Sequence, residues 1–400
     1  MEVKVYSSIA EVDEAKWNVI VEKNRLICTH KYIEAVEKSN INDCRFFYPV
    51  VYDEGEIIAH ATCYYISTEL DAFAQGVVKN MVSLIRRRWK GFFILRTLEC
   101  GTPVAAGNTI SFRKDVDRVA ILDLLCREIE RLAGELRVKV VLFRDFYDEE
   151  LELFDYFTLV GYTKIHNLPS TKIEIRWKNF DEYLDSMRSQ YKYKIIKRMK
   201  KCKKDINIQL VKDFSGYKNE LEKLWMNVYN NAKEYKRERL TTVFFENMDK
   251  YLQDRSAIIL AKRNSVSVGF ALLLYDNKIL IPLFFGLDYA YNEEYCVYFN
   301  LMYKAIEVGI NEGMKSIDMG ITTLIPKKDI GCVITPLNMY MKHLNPFLNK
   351  VVPKTFAMMT PQDNSGPRRV FKASGQNEEE DKNILRTTKS QPGHVFIGAE

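Results

Sequence analysis

Residues 256–286 read SAIILAKRNSVSVGFALLLYDNKILIPLFFG. Three apolar runs, 256–262, 267–275 and 278–286, are separated by Asn264-Ser265 and Asp276-Asn277. Asn and Asp tolerate the left-handed backbone that a tight hairpin demands, and branched and aromatic side chains suit a pleated, half-buried surface. The stretch is therefore expected to form a three-stranded antiparallel meander. A helical pattern follows over 294–312, then a short strand, Ser316-Ile317-Asp318-Met319. Upstream lie a strand at 171–176, a helix over 180–204, a strand at 206–212 and helices at 217–232 and 242–252.

The first half runs in the same order with little shared sequence. A strand at 2–8 precedes helices at 11–23 and 30–39, then β-rich segments at 45–53 and 56–66 around the turn Asp53-Glu54-Gly55. Residues 70–89 read as a helix and 92–99 as a strand. Residues 115–132 form a clear amphipathic helix, 138–144 a buried-type strand, 148–157 a short helix, and Gly161-Tyr162 opens a last strand. The boundary falls near Asn167-Leu168-Pro169-Ser170, which divides the chain into 1–168 and 169–356. From about Thr360 the chain is polar and poor in core residues, so 357–400 is expected to be a disordered tail.

The chain has 400 residues, of which 47% are hydrophobic and 28% charged, enough for two globular cores. Its net charge of +6 suits an anionic ligand but is too small to imply nucleic acid. The eight cysteines form no C-x-x-C pair, no disulfide framework and no zinc motif, and free thiols fit a reducing compartment. No signal peptide, spanning run, P-loop or dinucleotide fingerprint is present, so the expectation is a soluble cytoplasmic protein without a metal.

Several segments resemble the tandem-GNAT acyltransferases related to FemAB-like and CelD-like proteins of the peptidoglycan biosynthesis/recognition type. They are the helix at Thr29 to Ser39, the loop Cys100-Gly101-Thr102-Pro103 to Gly107, and Phe285-Gly286-Leu287-Asp288-Tyr289 with the helix near Tyr295. The fourth is Ile317-Asp318-Met319-Gly320 followed by Lys327-Lys328-Asp329-Ile330-Gly331 and Pro336-Leu337-Asn338-Met339-Tyr340. The resemblance covers roughly residues 1–345. It implies an α/β (α+β) fold of two tandem GNAT-like domains, each a mixed, mostly antiparallel sheet flanked by helices. It also implies transfer of an acyl group from an acyl-CoA or acyl-carrier-protein thioester to a small-molecule amine. Two other functions stay open: a FemAB-like aminoacyltransferase using aminoacyl-tRNA, and a GNAT-shaped recognition module without catalysis. One departure counts against acetyl-CoA. Where the usual loop (Arg/Gln)-x-x-Gly-x-(Gly/Ala) belongs, the chain has Asp288-Tyr289-Ala290-Tyr291-Asn292-Glu293-Glu294.

Acyl transfer to an amine needs donors around a carbonyl oxygen and an acceptor for the ammonium proton. In the expected GNAT arrangement both sit in a gap between two neighbouring strands, here the ends at 285–289 and 318–323. Asp318, Tyr295 and Lys328 are the candidate catalytic residues: a base or amine-orienting carboxylate, a phenol acid and a cation. Tyr289, Gly320, Thr322, Thr323 and Lys327 would bind substrate, with Gly101 and Asn108 lining a cleft from the first half. Against this, Asp318 is equally readable as a strand-end cap and the lysines as solvated loop charges. Arg188 to Lys204 carries nine cations and no acid, and Lys194, Lys197, Arg198 and Lys201 are candidates for phosphate or nucleic-acid contact. The alternative is a solvated helix face with Ile195, Ile196 and Met199 turned inward. Arg86-Arg87-Arg88-Trp89-Lys90 ends the 70–89 helix and reads either as a membrane-surface motif or as a favourable helix C-terminus.

Overall fold

A computed structural model of the chain describes residues 1–69, 94–232, 238–321, 323–359, 366 and 368–372. The expected helix at 70–89 with its Arg86–Lys90 cluster, Thr322 and most of the expected tail lie outside the described residues.

The described strands form two mixed, mostly antiparallel sheets flanked by helices. The first contains β1 (Glu2–Tyr6), β2 (Arg45–Asp53), β3 (Glu56–His60), β4 (Cys63–Glu69), β5 (Ile94–Cys100), β6 (Ser111–Phe112), β7 (Val140–Tyr147) and β8 (Thr163–His166). The second contains β9 (Ser170–Glu174), β10 (Asn207–Val211), β11 (Ser256–Arg263), β12 (Val266–Asp276), β13 (Ile279–Leu287), β14 (Ser316–Asp318) and β15 (Val333–Thr335), in the order β10-β11-β12-β13-β14-β9-β15. The meander closes as its turn chemistry dictates: Asn264 and Asn277 hold φ of 53° and 54°, a region open to Asn at little cost.

The last strand, β16 (Leu337–His343), joins the first sheet rather than the second. It lies antiparallel between β7 and β8. Conversely β9 is inserted between β14 and β15. A division at 168/169 therefore does not follow sheet membership, because 337–343 belongs with the first sheet. The cause is continuity of the backbone. Only Asn167, Leu168 and Pro169 separate β8 from β9, and only Pro336 separates β15 from β16. The two pairs run on as one antiparallel ribbon through both sheets, with Thr335 opposite Ser170 and Asn338 opposite His166.

The principal helices are α1 (His30–Glu37), α2 (Arg118–Glu135), α3 (Ser189–Cys202), α4 (Lys218–Asn231), α5 (Thr242–Leu252), α6 (Tyr289–Tyr295), α7 (Val297–Asn311), α8 (Leu324–Asp329), α9 (Pro346–Asn349) and α10 (Val352–Met359). The halves are fused by apolar burial as well as by the ribbon. Ile33 and Val36 on α1 share one core with Phe244, Phe245 and Met248 on α5. Each such side chain contributes roughly 1.5–3 kcal/mol. Lys38 Nζ donates to Tyr251 Oη (2.9 Å) and Asn247 Nδ2 to Ser39 Oγ (3.2 Å) across the same seam.

The helix expected over 180–204 is two helices, Phe180–Ser186 and α3, broken at Met187 and Arg188. The break is where part of the expected tail docks. Met187 bridges Phe371, Arg188 N donates to Val370 O (2.9 Å), and Lys372 N donates to Ser186 O (2.8 Å). Val370 is buried, and Arg368 pairs with Asp329. Residues 368–372 are thus packed structure, contrary to the tail reading. Gly331, at φ 92°, is required there, because a Cβ would stand 2.3 Å from the Phe371 ring.

Candidate active site

β13 and β14 run parallel, but only Ile279 and Leu280 pair with Ser316 and Ile317. β13 continues to Leu287 against β12, while the chain after β14 stays with β9, Met319 N donating to Thr171 O (2.8 Å). From Ile281 onward the facing edge of β13 has no strand partner among the described residues. The two strands therefore part, leaving a slot. The equivalent pair in the first sheet, β5 and β7, stays in register to the last residue of β5, Cys100 opposite Phe143.

Asp318 sits at the mouth of the slot, beside the ribbon. Its Oδ1 accepts from Ser170 Oγ (2.6 Å) and Gly320 N (2.8 Å), and its Oδ2 from Tyr147 Oη (3.0 Å). Tyr147 comes from the first sheet, so the site is built from both halves. Burial and the neighbouring Asp318 carboxylate push the phenol of Tyr147 up, which keeps it a donor. A carboxylate has about four acceptor positions, and three are filled here, leaving one on Oδ2. Asp318 thus both ties the sheets together and retains capacity for one further N–H. Tyr147→Phe removes that tie while keeping the ring. The variant is expected to lose about 1–2 kcal/mol in urea unfolding, and its turnover should fall more than its KM rises.

Gly320, at φ 75°, turns the chain so that its carbonyl accepts from both Thr171 Oγ1 (2.8 Å) and Lys327 Nζ (3.1 Å). Lys327 and Lys328, on the short helix α8, are both buried, at 3% exposure, so neither is a solvated loop charge. Burial lowers the Lys327 ammonium to about 8, with Cys332 and Asp318 opposing the shift. The Cys332 thiol is pushed by burial up to about 12, a poor nucleophile. Across the slot, Phe285 packs edge-on against Tyr298 at the start of α7 (5.3 Å between centroids). Burial takes the Tyr298 phenol up to about 12, opposed by its hydrogen bond with Thr323.

The structure brings Asp318, Gly320, Lys327 and Ser170 together, and places Thr323 by Tyr298. Tyr295 is elsewhere. Its ring lies under Arg263, and its hydroxyl is engaged by Glu294 and Asp205 on the α3 side, which takes it up to about 12. None of these groups is a partner of Asp318, so a proton-donor role beside Asp318 is not what this geometry supplies. Tyr289 is the first residue of α6, just after the capping Asp288. A Cβ at Gly101 would meet the Arg144 side chain at 3.4 Å. Asn108 is buried and committed, accepting from Arg25 Nη2 (2.6 Å) and Ile110 N (3.1 Å) and donating to Glu150 Oε1 (2.5 Å). Both residues shape a closed loop rather than an open cleft. Two cavities, of about 360 Å³ by Tyr6 and Tyr52 and about 480 Å³ by Thr29 and Tyr251, are remote from Asp318 in their lining.

On α3, Lys194, Lys197 and Lys201 are exposed. Arg198 instead stacks on Phe299 (3.6 Å) and donates to Tyr303 Oη (3.2 Å), fixing α3 along the first turns of α7. No helix among the described residues is long and apolar enough to cross a membrane.

Two sheets of this order, one with a parted strand pair, define a tandem GNAT-type fold. Residues 8–323 match the model of the FemAB-like family, described as peptidoglycan biosynthesis/recognition, and the chain belongs to that family. Its structure is similar to that of FemX, with a TM-score of 0.55 at 12% identity over 88% of this chain and 100% of that one. It is also similar to L-PGS from Bacillus licheniformis (0.50, 10%, 87% and 96%) and to a tandem GNAT protein from the clavulanic acid biosynthesis pathway (0.50, 7%, 86% and 99%). At these identities the likeness is one of fold. A Mycobacterium tuberculosis protein named 8-amino-7-oxononanoate synthase 2 is 22% identical over 321 residues, 78% of this chain. The match spans only 42% of that protein's length.

Proposed function

We propose that the protein transfers an acyl or aminoacyl group to an amine at the slot between β13 and β14. The observation that carries this reading is the parting of these strands beside Asp318 and the buried Lys327. Family and fold support a transferase of the acyl or aminoacyl kind. In this reading the open position on Asp318 Oδ2 orients the amine and takes up its proton. The Lys327 ammonium offsets the charge that develops on the carbonyl oxygen, where low dielectric makes a fixed cation most effective. Collapse of the tetrahedral adduct then breaks the donor's thioester or ester bond, and its thiol or hydroxyl leaves with the proton taken from the amine, so catalysis is positioning and proton transfer without a covalent enzyme intermediate.

The first donor class is a thioester on coenzyme A or a carrier protein. A second, aminoacyl-tRNA, is favoured by one observation. Asp288 caps α6, its carboxylate accepting from Ala290 N (3.1 Å), so a negative charge occupies the place where the acyl-CoA loop would offer amides to phosphate. The exposed lysines of α3 lie along α7, whose first turn borders the slot. Changing Lys194, Lys197, Lys200 and Lys201 together to Gln is expected to raise the KM for a tRNA donor about tenfold or more. It should flatten the salt dependence by about three ions while leaving thermal stability nearly unchanged. An unaltered KM would leave the thioester.

The deciding experiment incubates the purified chain with acyl-CoA, acyl-carrier-protein and aminoacyl-tRNA donors and a panel of primary amines, with products read by mass. Amino ketones belong in the panel, given the name of the mycobacterial relative. Product formation that Asp318→Asn lowers about a hundredfold or more supports the reading. Ligand-induced stabilisation without turnover by any donor would leave a recognition module.

A further inference from the structure

After β16 the chain turns through α9 and α10. The inner side of α10, Val352, Phe356 and Ala357, packs on the first sheet. Its outer side carries Val351, Lys354, Thr355 and Met358, three to four residues apart on one helical face. At the tip, Phe347 is 81% exposed beside exposed Leu348, and Met358 is 88% exposed. Asn349 Nδ2 donates to Gly161 O (2.9 Å), which draws the turn after Leu159, itself 81% exposed, to the same corner. Of the thirteen exposed large hydrophobic side chains among the described residues, these account for five: Leu159, Phe347, Leu348, Val351 and Met358. Solitary exposed apolar residues are ordinary, but a cluster of them marks a contact surface.

The chain of the α9–α10 tip carries charge of one sign, while the acids near the Leu159 turn, Glu130 and Asp155, are paired with Lys342 and Lys164. Lys350 and Lys354 are exposed within the tip, and no acidic residue occurs between Asp329 and Asp363. Protruding apolar tips with lysines beside them match a bilayer interface. The tips leave water for the acyl boundary while the ammonium groups remain at the level of anionic headgroups. A second copy docking about a two-fold axis would instead bring Lys350 and Lys354 toward their own counterparts, which like-charge repulsion disfavours.

We propose that the α9–α10 corner docks the protein onto an anionic lipid surface, with Phe347, Leu348 and Met358 entering the headgroup boundary and Lys350 and Lys354 meeting the headgroups. This rests on the exposed corner alone and not on the transferase reading. The test is cosedimentation of the full chain at low salt with vesicles of phosphatidylcholine alone and vesicles rich in phosphatidylglycerol. The wild type is expected to bind the latter, and more weakly as salt rises. Phe347→Ser with Met358→Ser should lower binding about tenfold on the anionic vesicles, and Lys350→Gln with Lys354→Gln by a similar factor. All four side chains are exposed, so folding is retained, which circular dichroism checks. Arg86–Lys90 and the α3 lysines stay intact in every variant. Binding that survives both double variants would place membrane contact elsewhere and overturn the proposal, as would a wild type that ignores anionic vesicles. Self-association that Phe347→Ser abolishes, without vesicle binding, would assign the corner to a second copy and overturn it equally.

Discussion

Replacing Lys327 by Met is expected to make the protein more stable and nearly inactive. The side chain is 3% exposed and, among the described residues, its ammonium donates to one carbonyl, that of Gly320, which Thr171 Oγ1 also serves. A buried cation with so little hydrogen bonding is held at a cost, and burial is the leading cause of its lowered affinity for a proton. Met has a similar length and no charge. It keeps most of the packing, and the Gly320 carbonyl keeps its threonine. The net gain should be about 1–2 kcal/mol, or roughly 1–3 °C in melting temperature for a chain of this length, which calorimetry reads. Loss of a positioned cation at a developing oxyanion should lower the single-turnover rate about 10²–10³-fold. A residue retained only for structure gives the opposite pair, a lower melting temperature and an intact rate.

The same lysine sets a pH signature. Unfolded, it keeps its ordinary value of 10.5, and folded it sits at about 8. Between these two values the unfolded chain binds more protons, so the contribution of this group to stability rises with pH across that window. The cost of burying the charge is fully present below about 8. The rate should move the other way, because the oxyanion needs the ammonium, and transfer should decline above about 8. Lys327→Met should lose both trends together, which separates them from the titration of the amine substrate.

The meander and the short strand after it were legible because their signals are local: Asn264 and Asn277 at the turns, apolar runs between them, and a helix of the right length before Ser316. The exchange of β9 and β16 was not. Leu337–His343 reads as a buried strand in any sheet, and only a partner far away in sequence decides which sheet. The surroundings of Asp318 were hidden for the same reason, since Tyr147 and Ser170 stand 171 and 148 positions from it. A hint existed in Tyr147, an aromatic with a hydroxyl at the end of a strand that also carries Arg144 and Asp145. Lys327 and Lys328 followed from the resemblance as candidates, but their burial did not. Adjacent lysines before Asp329 look solvated, and only the packing of α8 shows otherwise. Tyr295 illustrates the reverse error: the sequence reads it as a helix-start position that suits an anion, whereas it is the last residue of α6, with its ring under Arg263.

The second large effect lies in the first sheet. There the place corresponding to the slot is closed, and its strand ends carry a buried ionic cluster. Glu99 accepts from Tyr64 Oη (2.5 Å), Thr97 Oγ1 (2.8 Å) and Arg144 Nη1 (3.0 Å), and Arg144 Nη2 lies 3.5 Å from Asp145. Burial works against the charge of Arg144, but Asp145, Tyr64 and Glu99 more than offset it, so the guanidinium is held charged. Glu99→Leu should therefore cost about 3–5 kcal/mol in chemical denaturation, since it leaves the buried Arg144 with Asp145 as its one carboxylate and takes the acceptor from two hydroxyl donors. Adding Arg144→Met should recover only part of that loss, because it removes the under-paired cation but takes the ion pair from the buried Asp145 carboxylate, which then keeps only its hydrogen bonds such as that from Asn167. The rate per folded molecule should stay within about twofold in both variants, because this cluster fills a closed end rather than a slot. Transfer that collapsed per folded molecule in the double variant would mean that the first sheet also takes part in the chemistry, and that closure of its strand pair is not the reason the reacting groups gather on the second.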